Sequence, residues 1–333
     1  MYNDLFSIGP FTVHMYGVMT AVGIICAYFI ASHRAKVKRL TQRKSDEIFG
    51  LAVFMILFGY LCSKLLYIVT IIPYLMDGSM TLSGAITGGW VIYGGLFGGL
   101  LGGIIYCRWR KVDFWEYMDI AVPAVAFAQG CGRIGCFFAG CCYGLETDSS
   151  WFYLEFSNSA YAPNHVHLIP TELIMSAGDF LLFFVLLWYE KKVQKKEGEV
   201  LGLYLTLYSI GRFIVEFFRG DTIRGQIGIL STSQFIGIFA AAAGLIILIV
   251  QRHNGRPVEE LLAENIRECE AAENATAETE TATEAETVTD TETATDTETA
   301  TETETATERS DVAGETDSAA ATEKSDNNES TNV

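Results

Sequence analysis

Long apolar runs separated by short polar segments recur along residues 1–250. A helix needs about 20 consecutive apolar residues to cross the hydrocarbon core of a bilayer. The pattern therefore predicts seven transmembrane helices, over residues 14–33, 48–72, 87–107, 117–138, 170–190, 200–219 and 231–251. The fold class that this pattern predicts is an all-α integral membrane protein.

The last quarter of the chain has a different composition. Residues 251–333 contain 23 acidic and 5 basic residues, a net charge of −18, whereas residues 1–250 carry +1. No aromatic residue follows Phe239, so this stretch cannot bury enough apolar surface to offset the entropy of ordering the chain. We expect a seven-helix membrane domain over residues 1–252 and a disordered, acidic, Thr/Glu/Ala-rich tail over residues 253–333.

The basic residues predict the orientation, because short cytoplasmic loops retain Lys and Arg. The loops after the first, third and fifth predicted helices hold most of them: Arg34, Lys36, Lys38, Arg39, Arg43, Lys44, Arg108, Arg110, Lys111, Lys191, Lys192, Lys195 and Lys196. Segments 73–86 and 139–169 contain no Lys or Arg, although Arg219 and Arg224 lie between the last two predicted helices. We expect the N-terminus outside, the C-terminus and its tail in the cytoplasm, and residues 139–169 as an outer segment that meets substrates.

Ionisable residues inside the predicted helices indicate a functional site, because each costs about 2.5–3.5 kcal/mol to insert. Four stand out: Lys64, Arg133, Arg212 and Glu216. Glu216 is four residues after Arg212 and could pair with it structurally, while Tyr208 shares the same helix face. Two arginines suit a phosphate, because the guanidinium fork donates two parallel hydrogen bonds. An anionic lipid headgroup is the predicted ligand, with purely structural arginines as the alternative.

The predicted depths bring further residues to the same level. Arg133 and Arg212 lie roughly 8–10 Å from the outer ends of their helices, at 1.5 Å per residue. Tyr93 lies at a similar depth, and His14 and Tyr16 begin the first helix. We therefore expect these side chains to converge beneath the outer headgroups.

Two glycine patterns and the charge distribution limit other functions. Residues 130–135 match G-x-G-x-x-G, but they lie inside an apolar helix rather than between a strand and a helix, so no dinucleotide cofactor is expected. Glycine pairs every four residues over 94–103 predict close helix packing. Neither part of the chain has a clustered basic face, which excludes a nucleic-acid partner.

Half of the eight cysteines, Cys131, Cys136, Cys141 and Cys142, lie within twelve residues. On a continuing helix, a spacing of five residues rotates successive thiols by about 140°, and zinc sites favour C-x2-4-C pairs. We therefore expect membrane-packed thiols and no metal, with a disulfide of Cys141 or Cys142 as an open alternative. His165 and His167 are expected to be surface residues.

Several motifs together resemble the prolipoprotein diacylglyceryl transferase family. The segment from Gly132 to Gly135, followed by Phe137, Gly140 and Gly144, matches its signature region. The resemblance also rests on residues 14–17 (HMYG), residues 208–219 and, in the same order, Lys64 with Tyr67, residues 93–95 and residues 170–173. It covers about residues 5–250 and agrees with the predicted topology.

The resemblance implies a multi-pass enzyme of the bacterial cytoplasmic membrane. Such an enzyme transfers the diacylglyceryl group of phosphatidylglycerol to the lipobox cysteine of prolipoproteins, forming a thioether and releasing glycerol phosphate. It implies Arg133, Arg212, Tyr208 and Tyr93 as catalytic residues. It implies phosphatidylglycerol contacts from Arg133, Gly132, Gly135, Tyr16, His14, Lys64 and Gly144. No cofactor is implied, and the oligomeric state is not predicted.

The chain departs from the family pattern near the reacting groups. Tyr93 stands where the family usually has a histidine, Cys136 and Ala139 replace asparagines, Cys141 replaces an acid and Glu172 replaces a glutamine. A tyrosine, with an ordinary pKa near 10, is a weak base at neutral pH. Either nearby arginines tune Tyr93, or a thiol of pKa about 8.5 ionises sufficiently without a strong base, or the chain is a paralogue with another acceptor.

Two other hypotheses belong to different classes. A phospholipid-binding or transport paralogue would keep the scaffold without the chemistry. A thiol-redox or metal-binding membrane protein would use residues 131–142.

Overall fold

The computed structural model describes residues 4–8, 11–78, 81, 84, 92–149, 151–157, 159, 161–220, 226–227 and 230–277. Seven long helices lie within these ranges: α1 (Met15–Val37), α2 (Gln42–Met76), α3 (Ile92–Arg110), α4 (Phe114–Ala139), α5 (Thr171–Lys192), α6 (Glu199–Glu216) and α7 (Thr232–Asn254). Residues 258–272 form a further helix, α8. The chain divides into one unit over residues 1–272 and another over 273–333, of which residues 273–277 are described and helical.

Five helices of the described chain are long and apolar enough to cross a membrane. Their candidate spans are Met15–Val37, Gln42–Ile72, Phe114–Ala139, Thr171–Lys192 and Ser233–Asn254. Large apolar side chains are exposed on these helices, including Phe29 and Leu181 at 65% and Phe184 at 64%. Extended apolar surfaces of this kind indicate contact with lipid, and the protein is a multi-pass membrane protein.

Three short antiparallel hairpins accompany the helices in the described chain, and the predicted all-α class omits them. They pair β1 (Asp4–Ile8) with β2 (Phe11–His14), β3 (Leu154–Glu155) with β4 (His167–Leu168), and β5 (Gln226–Ile227) with β6 (Leu230–Ser231). Strands of two to five residues are too short to give a clear alternating pattern. The hairpins leave the helical architecture unchanged.

Neighbouring helices pack in pairs, with α2 along α3, α1 along α4 and α6 along α7, while α5 packs against α4. A Cβ added at Gly94 would lie 2.5 Å from the carbonyl oxygen of Cys62, and one at Gly98 would lie 2.5 Å from that of Phe58. Side chains at these positions would therefore push α3 away from α2. The predicted role of this glycine stripe in packing is confirmed.

Helix α4 begins and ends at well-defined caps. The Asp113 carboxylate accepts hydrogen bonds from the backbone amides of Trp115, at 2.9 Å, and Glu116, at 3.4 Å. At the other end, Gly140 adopts a left-handed backbone conformation with φ of 67°, which glycine reaches without steric cost. Residues 130–135 lie inside this helix, so their G-x-G-x-x-G pattern does not form a strand–turn–helix nucleotide site.

Contacts join all three basic loops and the start of the acidic segment at one end of the bundle. Lys44, in the first turn of α2, pairs with Glu268 of α8 at 2.5 Å, and the Asn265 amide of α8 lies 3.5 Å from the carbonyl oxygen of Lys38, between α1 and α2. Arg256 pairs with Asp113, between α3 and α4, at 2.6 Å, and with Glu197, between α5 and α6, at 3.4 Å. The loops that the sequence assigns to one side of the membrane therefore lie together.

The first part of the predicted tail is folded. Leu261 and Asn265 of α8 are only 7% and 2% exposed, and the Asn265 amide donates a hydrogen bond to Glu116 at 2.8 Å. The average composition of residues 251–333 is acidic and does not show the apolar positions within 258–266 that form this buried face. The predicted boundary at residue 253 is thus too early, and residues 278–333 lie outside the described chain.

Candidate functional site

Arg133 lies six residues before the end of α4 and faces α5 and α6. Asp179 of α5 and Tyr208 of α6 are within electrostatic reach of its guanidinium. Within the described part of the chain, no carboxylate or hydrogen-bond acceptor contacts this guanidinium directly. Arg133 is therefore a largely buried cation whose donors remain available to a ligand.

Asp179 is an acidic residue near both predicted arginines. Its side chain is on α5 and is 5% exposed, with both Arg133 and Arg212 within electrostatic reach. Its Oδ2 is buried without a hydrogen-bond partner among the described residues. Asp179 is not among the residues predicted from the sequence, although an acid inside the apolar run 170–190 is the same kind of signal as Arg133.

Arg212 forms the ion pair that its spacing predicts. Its Nη1 lies 2.5 Å from Oε2 of Glu216, although the two atoms are out of line for a hydrogen bond. Its Nη2 lies 3.5 Å from the Ser233 hydroxyl of α7. The same Glu216 oxygen is 4.0 Å from Nε of Arg219. Glu216 therefore positions Arg212 between α6 and α7 and offsets part of its charge.

A cavity of about 330 Å³ opens between α5 and α6, and Asp179, Tyr208 and Arg212 line it among apolar side chains. Tyr208 stacks on Tyr204, with ring centroids 5.6 Å apart. The Tyr204 hydroxyl donates a hydrogen bond to Oε1 of Gln129 on α4 at 2.8 Å. This connection fixes Tyr208 beside Arg212, and sequence reasoning identified neither Tyr204 nor Gln129.

A second, apolar cavity of about 460 Å³ lies between α1, α2 and α4. Apolar side chains such as Ile24, Phe49 and Val125 form most of its wall, and Gln129 is one of its few polar lining residues. The cavity therefore reaches the residue that holds Tyr204. Its lining suits an acyl chain.

Tyr16 and Gly135 meet where α1 passes α4. A Cβ added at Gly135 would lie 3.2 Å from the Tyr16 ring, and Arg133, Cys136 and Cys141 are within electrostatic reach of the Tyr16 hydroxyl. The structure thus places the Tyr16 hydroxyl near Arg133.

The other predicted lipid-contact residues at this end have different surroundings. His14 ends β2, and its Nδ1 lies 2.7 Å from the Asp4 carboxylate on the exposed surface. A Cβ added at Gly132 would have no described atom within 4 Å, so this position leaves open space beside Arg133. Gly144 is enclosed by the backbone, since a Cβ there would meet the carbonyl oxygens of Ile169 and Phe218. Its immediate role is close packing of the outer segment.

Lys64 and Tyr93 lie on the α2–α3 pair. The ammonium group of Lys64 lies 5.0 Å from the centroid of the Tyr67 ring. Tyr93 is the second residue of α3, and its side chain lies outside the described part of the structure. The roles predicted for Lys64 and Tyr93 remain predictions.

Three of the four clustered cysteines come together because α4 ends before the last two. The Sγ atoms of Cys136, Cys141 and Cys142 all lie within 4.8 Å of one another. The predicted separation of these thiols around a continuing helix is therefore wrong, because the turn at Gly140 returns the chain toward Cys136. Hydrogen bonds from the Cys136 and Cys141 thiols, and then the Arg219 guanidinium, lower the pKa of Cys142.

The outer segment has a small core of its own. Phe156, Ala162 and Leu168 are buried in it. His165 and His167 are exposed, with ring nitrogens 3.2 Å and 3.8 Å from the Glu155 carboxylate, in agreement with their prediction as surface residues. The segment is tied to the bundle by the Thr171 hydroxyl at the start of α5, which donates to the Cys142 carbonyl at 2.8 Å.

Comparison with known proteins identifies the family. Residues 3–250 match the family model described as prolipoprotein diacylglyceryl transferase. The chain belongs to this family. The match includes α1 to α6 and most of α7 and ends before α8, so the acidic C-terminal segment is an addition to the family region.

Individual relatives match over nearly their whole length. The chain is 42% identical over 248 residues to the phosphatidylglycerol--prolipoprotein diacylglyceryl transferase of Clostridium tetani (strain Massachusetts / E88), covering 74% of this chain and 97% of the relative. It is 41% identical over 246 residues to phosphatidylglycerol--prolipoprotein diacylglyceryl transferase 2 of Clostridium perfringens (strain 13 / Type A), covering 73% of this chain and 93% of the relative. A third relative, the phosphatidylglycerol--prolipoprotein diacylglyceryl transferase of Limosilactobacillus reuteri (strain DSM 20016), is 30% identical over 255 residues. The match covers 75% of this chain and 90% of the relative.

Proposed function

We propose that this protein transfers the diacylglyceryl group of phosphatidylglycerol to the lipobox cysteine of prolipoproteins. Family membership supports the reaction, and the observation that carries the site assignment is the meeting of Arg133, Asp179, Tyr208 and Arg212 from three helices beside a cavity. The protein acts as a multi-pass enzyme of the bacterial cytoplasmic membrane.

Arg133 and Arg212 bind the lipid phosphate. Arg133 has donors free of described protein acceptors, and Arg212 is held in place by Glu216 at 2.5 Å. Bidentate hydrogen bonds from a guanidinium match the phosphate oxygens. Asp179 reduces the repulsion between the two cations in the absence of lipid. Gly132 leaves space for the headgroup to approach Arg133.

The transfer breaks the bond between the phosphate oxygen and the glyceryl carbon and forms a carbon–sulfur bond to the lipobox cysteine. The thiol loses its proton, and glycerol phosphate leaves with the bonding electrons. Cations that contact the phosphate stabilise the negative charge that develops on the leaving oxygen. Tyr208, fixed by its stacking on Tyr204, donates a hydrogen bond that orients the leaving group.

Two cavities accommodate the lipid. The headgroup enters the cavity between α5 and α6, where Asp179, Tyr208 and Arg212 provide polar groups. An acyl chain occupies the apolar cavity between α1, α2 and α4, which reaches Gln129. Tyr16 closes the site beside Gly135. The proposed site also includes Tyr93 as a catalytic residue, and Lys64, His14 and Gly144 as contacts to phosphatidylglycerol.

The membrane topology has seven transmembrane helices, with the N-terminus outside and α8 with its acidic extension in the cytoplasm. The positive-inside rule and the contacts of Lys44 and Arg256 with α8 and the other basic loops support this orientation. The outer segment 139–169 then faces the side from which prolipoproteins present the lipobox.

The decisive experiment measures glycerol phosphate release from phosphatidylglycerol by the purified full chain in detergent, with a lipobox peptide or its Cys→Ser version. We expect release with the cysteine peptide alone. Arg133→Ala and Arg212→Ala should each lower the rate by about 100-fold or more, as expected on removal of a group that stabilises the transition state. The exposed Arg108→Ala is the matched control and should retain the rate.

Lipid binding without cysteine-dependent release would contradict the transferase and favour a phospholipid-binding paralogue. Undiminished release by both arginine variants would contradict the site assignment instead. Tyr93→Phe tests the base: an unchanged rate would show that the thiol ionises without Tyr93.

A further inference from the structure

Three cysteines that the proposed transfer does not use converge at the outer end of α4. Cys136 lies in the last turn of the helix, and Cys141 and Cys142 follow it in the outer segment. Their sulfur atoms all lie within 4.8 Å of one another, and none forms a disulfide. Three thiols at this separation form a compact group of sulfur ligands.

The backbone holds the group in place. Gly140 has φ of 67°, and Cys142 has φ of 69°, a left-handed conformation that non-glycine residues seldom adopt. The Cys141 amide donates a hydrogen bond to the Cys136 carbonyl at 3.2 Å. The Thr171 hydroxyl holds the Cys142 carbonyl at 2.8 Å. These contacts fix the chain in the conformation that turns Cys141 and Cys142 toward Cys136.

Two arginine side chains lie near the sulfur atoms. The buried guanidinium of Arg219 forms a hydrogen bond with Cys142, and Arg133 is within electrostatic reach of Cys136 and Cys142. Nearby positive charge favours the thiolate, which is the form of cysteine that binds metals. The cluster therefore combines three soft ligands with a counter-charge.

We propose that Cys136, Cys141 and Cys142 bind one thiophilic metal ion, Zn²⁺ or Cu⁺. A metal–sulfur distance of about 2.3 Å places three thiolates in a plane about 4 Å apart, which is within the observed separation. Thiolate ligands select soft ions such as Cu⁺ and Zn²⁺ over Mg²⁺ or Ca²⁺. Three protein ligands would leave the fourth tetrahedral position of Zn²⁺ open.

Charge and protons balance at such a site. Each thiol that becomes a ligand releases its proton to solvent, so binding is weaker at low pH. Three thiolates around either ion leave a net negative charge, which Arg219 and Arg133 offset. The ion changes no oxidation state and needs no co-reactant.

The arrangement of the three sulfurs favours a metal over a disulfide. A disulfide joins two sulfur atoms at about 2.04 Å and would leave the third thiol without a role. All three thiols instead approach one another, beside buried cations. A disulfide is accordingly one outcome of the test that would overturn the proposal.

The test uses the full chain purified in detergent under reducing conditions, stripped with a chelator and then loaded separately with Zn²⁺ or anaerobically with Cu⁺. Metal and protein are measured after desalting. We expect about one ion of at least one of the two metals per chain, and at least a tenfold loss of affinity in Cys136→Ser, Cys141→Ser and Cys142→Ser. Cys62→Ser, on α2 away from the cluster, is the matched control and should bind as the unmodified chain does.

A second measurement needs no variant. X-ray absorption of the loaded protein should show about three sulfur ligands at about 2.3 Å. The proposal would be overturned if no metal were retained, if all the serine variants bound metal equally, or if the metal had only nitrogen and oxygen ligands. It would also be overturned if a disulfide formed within the cluster when the apo-protein is kept without metal. Metal content does not depend on diacylglyceryl transfer, so failure of this proposal is distinguishable from failure of the proposed function.

Discussion

Single ionisable residues inside the apolar helices carry the chemistry proposed for this protein. Arg133 keeps its donors free of described protein acceptors, whereas Arg212 is anchored by Glu216 at 2.5 Å. Asp179 is within electrostatic reach of both, with one buried oxygen that has no hydrogen-bond partner among the described residues. Because unpaired charges in a low-dielectric region are costly, this combination persists only where a ligand or a neighbouring charge compensates.

At this scale we expect Asp179→Asn to lower the initial rate of diacylglyceryl transfer by about tenfold, equivalent to about 1.4 kcal/mol in the activation barrier. Removal of the carboxylate leaves Arg133 and Arg212 to repel each other and to shift from their positions. The measurement is glycerol phosphate release at saturating lipid. Asp148→Asn, an exposed acid of the outer segment, is the control, and an equal rate in both variants would contradict a role for Asp179.

At the scale of elements, helix pairs and turns place these residues. The α2–α3 contact is close because glycines line it, while the cysteine cluster depends on α4 ending at Ala139 and on the turn at Gly140. The sequence predicts the position of α4 well. It wrongly predicts that Cys141 and Cys142 lie apart from Cys136, because the rotation between residues applies only while the helix continues.

Gly98→Ala and Gly99→Ala separate packing from helix propensity in α3. Alanine favours a helix over glycine by about 1 kcal/mol at either position. At Gly98 the new Cβ would lie 2.5 Å from the Phe58 carbonyl oxygen, whereas at Gly99 its nearest neighbour would be 3.6 Å away at Met55. We expect Gly98→Ala to be less stable than Gly99→Ala by about 1–3 kcal/mol, measured by denaturant or thermal unfolding in detergent. Equal stability would show that α2 and α3 can separate without cost.

At the scale of the whole molecule, the acidic C-terminal segment has two parts. Its start folds as α8 and contacts the first turns of α2 and α4, through Glu268 and Lys44, at 2.5 Å, and through Asn265 and Glu116, at 2.8 Å. Residues 278–333, for which the Thr, Glu and Ala composition predicts disorder, lie outside the described part of the chain.

Two truncations test this division. Deletion of residues 278–333 should leave both transferase rate and melting temperature unchanged. Deletion of residues 257–333 also removes α8, its buried Leu261 and its ion pair with Lys44, and should lower the melting temperature by at least about 4 °C. The longer deletion must still insert in the membrane for the comparison to hold, which fractionation checks. Equal melting temperatures would show that α8 docking contributes nothing to stability.

Local pattern was sufficient for much of this protein. Apolar runs predict the helix positions, the isolated charges mark Arg133 and Arg212, and the motifs identify the family, because each of these signals lies within one segment of the chain. Contacts between segments distant in sequence are different in kind. How helices rotate and pack against one another decides three such contacts. It brings Asp179 near the two arginines, Cys136 near Cys142, and α8 near the basic loops. That packing minimises exposed polar groups over the whole fold, and no single segment records it.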